Sequence, residues 1–243
     1  KNISQQIIFC WLIIILYNII INVRMKESIP MKNLKLSYNA PITLTFVIIC
    51  FIATILGVIT GDIVTQVLFM TYRDSLANPM TYVRLFTHIF GHSGWSHFIG
   101  NASYLLLLGP MLEEKYGTKG ILLVMGMTSV VTALINFIVF PNVGLCGASG
   151  VVFAFILLAS FTGFKEGELP ITFVLVAVIF IGQQIVEGVT LRDDISNMAH
   201  IVGGVVGAAF GYFFNKCSCR YRGIARATVV GVRNTEMCFA PAL

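Results

Sequence analysis

Seven stretches of this chain run for sixteen to twenty residues with almost no charge and no polar–apolar alternation: Ile7–Val23, Ile42–Thr60, Ser96–Met111, Ile121–Phe140, Ser149–Phe164, Ile171–Val189 and Asn197–Phe214. Backbone groups in hydrocarbon must be satisfied inside their own segment, which leaves helices and closed barrels. Apolar runs of this length without alternation mean helices. The expected fold class is an all-α polytopic membrane protein, a six-helix bundle from Ile42 onward. Composition agrees: 57% of the residues are hydrophobic and 11% charged, against about a quarter charged in a soluble domain. The same figures exclude a disordered chain.

Three parts are expected: a hydrophobic extension and basic linker over 1–37, a six-helix unit over 38–215, and a basic tail over 216–243 without an apolar run, disordered or surface-bound. Ile7–Val23 reads either as an extra helix or as a signal anchor. Met31 opens a plausible start of its own, and a chain beginning there is expected to insert and work. The six cysteines form no metal knuckle or disulfide framework and read as free thiols.

Lys and Arg fix the expected orientation, since cytoplasmic loops are enriched in them. Numbering the spans from Ile42, twelve cations precede span 1, separate spans 2 and 3 or 4 and 5, or follow span 6; three (Arg73, Arg84, Arg192) lie on the other side. Both ends of the six-helix unit are therefore expected in the cytoplasm, with the Gly61–Trp95 segment outside. The net charge of +5 follows this sidedness rather than a single patch, so no nucleic-acid partner is implied; the surroundings are membrane lipid.

With this topology spans 2, 4 and 6 start at the outer face, and each carries polar residues there: His97 and Asn101, then Ser149 within Gly147-Ala148-Ser149-Gly150, then His200 after Asn197. A serine in a glycine cluster usually serves packing, whereas an intramembrane histidine points to function. His200, Gly203, Gly204, Gly207, Ala208 and Gly211 share one face of span 6, and Gly147, Gly150 and Ala154 offer a small face on span 4. Two such faces let helices approach closely, making Ser149 and His200 neighbours. A hydroxyl needs a base to become a nucleophile, and neutral His200 can serve as base and then acid. His97 and Asn101, at i and i+4, share a face and can donate to an oxyanion. No carboxylate lies beside His200, so a Ser-His dyad is expected rather than a triad. Glu113, at the inner end of span 2, is expected to be structural, with Lys115 or backbone donors of the following turn as partners.

In these residues the chain resembles the rhomboid intramembrane serine proteases. His92-x4-His97-x3-Asn101, Gly147-Ala148-Ser149-Gly150, Ala199-His200-x2-Gly203-x3-Gly207, Glu113-x3-Gly117 and Arg84 resemble family motifs in order along the whole unit. The resemblance implies Ser149 as nucleophile, His200 as base, and His97, Asn101 and the Ser149 N–H as oxyanion donors. It implies no metal, no cofactor and transmembrane protein substrates; it makes no demand on oligomeric state. Val83 stands where the family often has Trp, and Phe153 where Tyr is common. The small size and the lack of further domains suit a bacterial plasma membrane. Two other readings compete: a non-catalytic client-binding protein of the same fold, and a metal or haem protein built on His88 and His92 at i and i+4.

Overall fold

The computed structural model describes residues 38–162, 171, 173–179, 182 and 194–228, with side chains left out at 194–196 and 216–228. The chain divides into two compact units, Lys1–Ser37 and Tyr38–Leu243. The expectations for Ile7–Val23 and for a start at Met31 lie outside the described residues, as does most of the Ile171–Val189 span, of which Ile171 and 173–179 are helical.

The second unit is all-α among the described residues. In chain order, α1 is Pro41–Ile59, α2 Ile63–Leu68, α3 Pro79–Thr87, α4 Trp95–Val139, α5 Ser149–Ser160 and α6 Asp194–Thr228, with a 3-10 turn at His88–Phe90 after α3. The sole β feature among the described residues is an isolated antiparallel bridge between Thr71 and Leu145. Three of these helices contain a stretch long and apolar enough to cross a membrane: Pro41–Ile59, Trp95–Val139 and Asn197–Asn215. The protein is an integral membrane protein. Ile52 and Ile59 on α1, Leu107 on α4 and Val205 and Phe213 on α6 are exposed, as lipid-facing side chains must be where the solvent is hydrocarbon.

Spans 2 and 3 are both present within α4, joined more tightly than expected. Charged Glu113, Glu114, Lys115 and Lys119 end the apolar pattern without ending helical geometry, since all are good helix formers. The break is at Gly117, where φ 74° and ψ 159° leave helical geometry, a conformation open to glycine. It divides α4 into a first limb, 95–116, and a second, 118–139. The second runs back beside the first: Thr118 reaches Glu113, and Thr132, further along, reaches His88. At the other end of the chain α6 continues into the basic tail, through Thr228. Extending a formed helix needs no new nucleus, and the segment after Phe214 contains no proline before Pro241.

The Gly61–Trp95 segment, expected as a long loop, contains α2, α3 and the 3-10 turn. Pro79 at the first turn and Asn78 as N-cap, accepting from Met80 N at 3.0 Å, start α3 in the usual manner. Arg84 is buried and donates through Nε to Val67 O at 2.8 Å and through an Nη to Asp74 at 3.1 Å, its guanidinium 4.5 Å from the centre of the Tyr72 ring. Val83 is exposed, as are Tyr82 and Phe86 one turn apart on the same helix. These supply apolar aromatic surface where the family's Trp is missing.

Candidate active site

At one end of the bundle α5 and α6 approach at backbone distance. A Cβ on Gly203 would lie 2.1 Å from Gly150 O, and one on Gly207 2.1 Å from Ala154 O. Both helices start at this end and run side by side, as the small faces predict. The close approach continues past the glycines to Gly211, which lies under the Phe161 ring.

Ser149 is the first residue of α5 and half-buried. On the next residue, a Cβ on Gly150 would meet Ala199 O, immediately before His200, at 3.4 Å. One turn below Ser149, the Phe153 ring lies 4.3 Å from the His200 ring, centre to centre, with 39° between planes. Phe153 therefore packs on the imidazole without a hydroxyl.

His97, in the first turn of α4, approaches the same loop from the other side. A Cβ on Gly147 would sit 2.7 Å from its Cε1 and 2.9 Å from its Nε2. Gly147 has φ +132°, so neither the backbone nor the space tolerates a side chain. Asn101, one turn further along α4, is buried, and its Nδ2 has no hydrogen-bond partner among the described residues. A buried amide left unpaired costs about 1–3 kcal/mol. Such an orphan calls for a partner that the described residues do not supply. The first-turn N–H groups of α5 receive no side-chain cap bond from the N-cap Ala148.

A frame holds the loop before Ser149. Thr71 and Leu145 exchange backbone hydrogen bonds at 2.9 and 2.8 Å, and Gly147 N donates to His88 O at 2.9 Å. Asn136 Nδ2 donates to Val143 O at 3.1 Å. His88 and His92, the rival metal pair, are engaged in this frame. His88 Nδ1 faces Arg84 O and its Nε2 faces Thr132 Oγ1; His92 Nδ1 faces Phe90 O. Carbonyl oxygens only accept, so in both rings Nδ1 carries the proton. Burial pushes both imidazoles down to about 4, so both are neutral at pH 7. His92 packs edge-on against His97, ring centres 5.0 Å apart. Burial also pushes the Cys146 thiol up to about 11, so the loop's other nucleophile stays protonated.

The structure thus gathers three of the sequence-predicted segments around Gly147–Gly150: His97 on one side, His200 on the other, Asn101 unpaired below His97. Sequence reasoning missed Asn197, one turn before His200, whose buried Nδ2 also has no partner among the described residues. It also passed over Ser93, whose Oγ lies 3.2 Å from His97 Nδ1. Spacing carries a signal for both, at three and four residues from a site histidine, but spacing cannot say that a side chain is buried or unpaired.

Comparison with known proteins gives a family. Residues 79–217 match the model of the Rhomboid domain. The chain is 27% identical over 189 residues to Rhomboid protease GlpG of Yersinia pestis, covering 76% of this chain and 66% of that protein. It is 31% identical over 140 residues to Rhomboid-related protein 1 of Caenorhabditis elegans, covering 53% of this chain and 39% of the relative. The chain spans just under two thirds of the length of the Yersinia relatives it matches.

Proposed function

The chain belongs to the rhomboid family, and from that premise we propose that it is an intramembrane serine endopeptidase acting on transmembrane protein substrates. Residues 38–215 would carry the reaction. In it, Ser149 Oγ attacks the scissile carbonyl carbon while His200 takes the hydroxyl proton. The carbonyl oxygen becomes an oxyanion, stabilised by His97, Asn101 and the Ser149 N–H. His200 then gives its proton to the leaving amine as the C–N bond breaks. Water, deprotonated by His200, attacks the acyl-serine ester, and the returning proton restores the serine as the new carboxyl end leaves.

One observation carries this reading. The Asn101 Nδ2 is buried and unpaired among the described residues, one turn below a histidine packed on the loop of Ser149. A donor with nothing to donate to fits an anion that exists only during turnover. Twelve cations against three support a site at the outer face, with both ends of the six-helix unit cytoplasmic. A bacterial plasma membrane is the proposed setting, given Yersinia relatives that match 76% of this chain.

The test pairs a fluorophosphonate probe with cleavage of a model transmembrane substrate in reconstituted bilayers. Wild type is expected to label and cleave. Ser149→Ala is expected to do neither at unchanged Tm, with cleavage falling on the order of 10⁴-fold or more. Persistent labelling or cleavage in Ser149→Ala overturns the nucleophile assignment.

A further inference from the structure

Ser93 stands two residues before α4, one position ahead of the N-cap and so outside the ordinary capping role of a serine. The N-cap is Gly94, with no side-chain cap bond, at φ 126° and ψ 177°. A Cβ on Gly94 would meet nothing within 4 Å, so glycine is required by the backbone angle and not by space. That angle turns Ser93 back over the first turn, and its hydroxyl comes to 3.2 Å from His97 Nδ1. The other edge of the same ring faces the nucleophile loop: Nε2 lies 2.9 Å from the Cβ position of Gly147, and Nδ1 3.9 Å.

A neutral imidazole carries one N–H, and the hydrogen bond at one nitrogen decides what the other can do. If Nδ1 held the proton, Nε2 would present a lone pair to the loop and repel an oxyanion. We propose that Ser93 is a positioning residue for His97. Its hydroxyl donates to Nδ1, so that the proton resides on Nε2 and points toward the scissile carbonyl oxygen. This rests on the reading of His97 as an oxyanion donor. A hydroxyl suits the role because it can donate to Nδ1, whereas a backbone carbonyl, the partner of His88 and His92, can only accept and fixes the opposite tautomer. The neighbouring His92 is therefore a built-in contrast: same loop, opposite partner, opposite tautomer.

The experiment compares Ser93→Ala, Ser93→Thr, His97→Ala and the Ser93→Ala/His97→Ala double variant for kcat, KM and Tm on the same reconstituted substrate. Ser93→Ala is expected to lower kcat about three- to ten-fold, the worth of one neutral hydrogen bond, with KM and Tm unchanged. Ser93→Thr, which keeps the hydroxyl, is expected to restore it. In the His97→Ala background Ser93→Ala is expected to cost nothing more. A wild-type kcat in Ser93→Ala beside an impaired His97→Ala overturns the role of Ser93 and leaves the reading of His97 standing. A wild-type kcat in His97→Ala overturns both. A loss that Thr does not restore, that comes with a lower Tm, or that adds fully to His97→Ala assigns Ser93 a merely structural part.

Discussion

Twelve residues of α4, about 18 Å of helix, separate two buried polar side chains with opposite fates. At one end Asn101 Nδ2 is unpaired among the described residues. At the other, Glu113 is saturated: Oε1 accepts from Ile42 N at 3.0 Å and Thr118 Oγ1 at 3.1 Å, and Oε2 from Thr43 N at 3.1 Å and Thr43 Oγ1 at 3.0 Å. All but the Thr118 hydroxyl are first-turn donors of α1, whose N-cap Ala40 makes no side-chain cap bond of its own. Glu113 is thus the cap of another helix, its charge set at the positive end of that helix's dipole. The same end is closed by Asn215 Nδ2, which meets Gly211 O, Phe161 O and Tyr116 Oη, and by Lys115, which donates to Thr162 O. One end satisfies these polar groups within the protein. At the other, the proposed reading assigns the unpaired Asn101 Nδ2 to a charge that exists only during turnover.

The contrast can be broken in four ways. The largest effect is expected where the two ends share a scaffold. Gly203→Leu puts a branched side chain where a Cβ already meets Gly150 O at 2.1 Å, so α5 and α6 must separate. Turnover and folding are expected to be lost together, and a folded, fully active Gly203→Leu in a cleavage assay with a melting curve would refute the packing. Next, Glu113→Gln replaces an acceptor of four donors with a group half donor. Stability is expected to fall by about 3 kcal/mol, read as a lower Tm, with kcat of the surviving folded protein unchanged. Selective loss of kcat at constant Tm would erase the division of labour.

Asn101→Ala is the mirror image. Removing a buried amide that has nothing to bond costs no native interaction, so Tm is expected to stay level or rise. The kcat is expected to fall about 10²–10³-fold, or 2.7–4 kcal/mol, and less to the extent that His97 and the Ser149 N–H share the load. A Tm that drops with kcat would make Asn101 structural. The smallest effect is in pH. His88 and His92, depressed by burial to about 4, bind a proton in the unfolded chain near 6.5 but not in the folded one. Between those values the unfolded state holds more protons, so stability is full above pH 6.5 and is lost as pH falls toward 4. From pH 7 to pH 5.5 each would forfeit roughly 1 kcal/mol, measured as a falling Tm that is shallower in His88→Asn. A Tm flat across that range would mean the two rings are not held neutral.

Much of the fold was legible. The apolar runs placed α1, α5 and the membrane part of α6 to within a few residues, because a helix in lipid is specified locally by length and hydrophobicity. The small faces on α5 and α6 gave their pairing, since glycine spacing is a local property with one consequence. The turn joining the limbs of α4 was less legible, because charge marks where lipid ends and not where a helix ends. Glu113 was read as structural, and it is hydrogen-bonded on every side. Of its two expected kinds of partner, backbone donors are present but come from α1 rather than from the following turn, and the Lys115 amine donates to Thr162 O.

By itself the sequence determined which residues stand at the same end of their helices: His97 and Asn101, Ser149, His200. That follows from periodicity and direction, each set by neighbours within a few residues. Only the tertiary structure decided which polar atoms find partners. Glu113 meets donors seventy residues earlier in the chain, the Ser93 hydroxyl meets His97, and Asn101 Nδ2 is left unpaired among the described residues. Whether a buried donor is satisfied depends on every segment packed around it at once, and no local pattern encodes that sum.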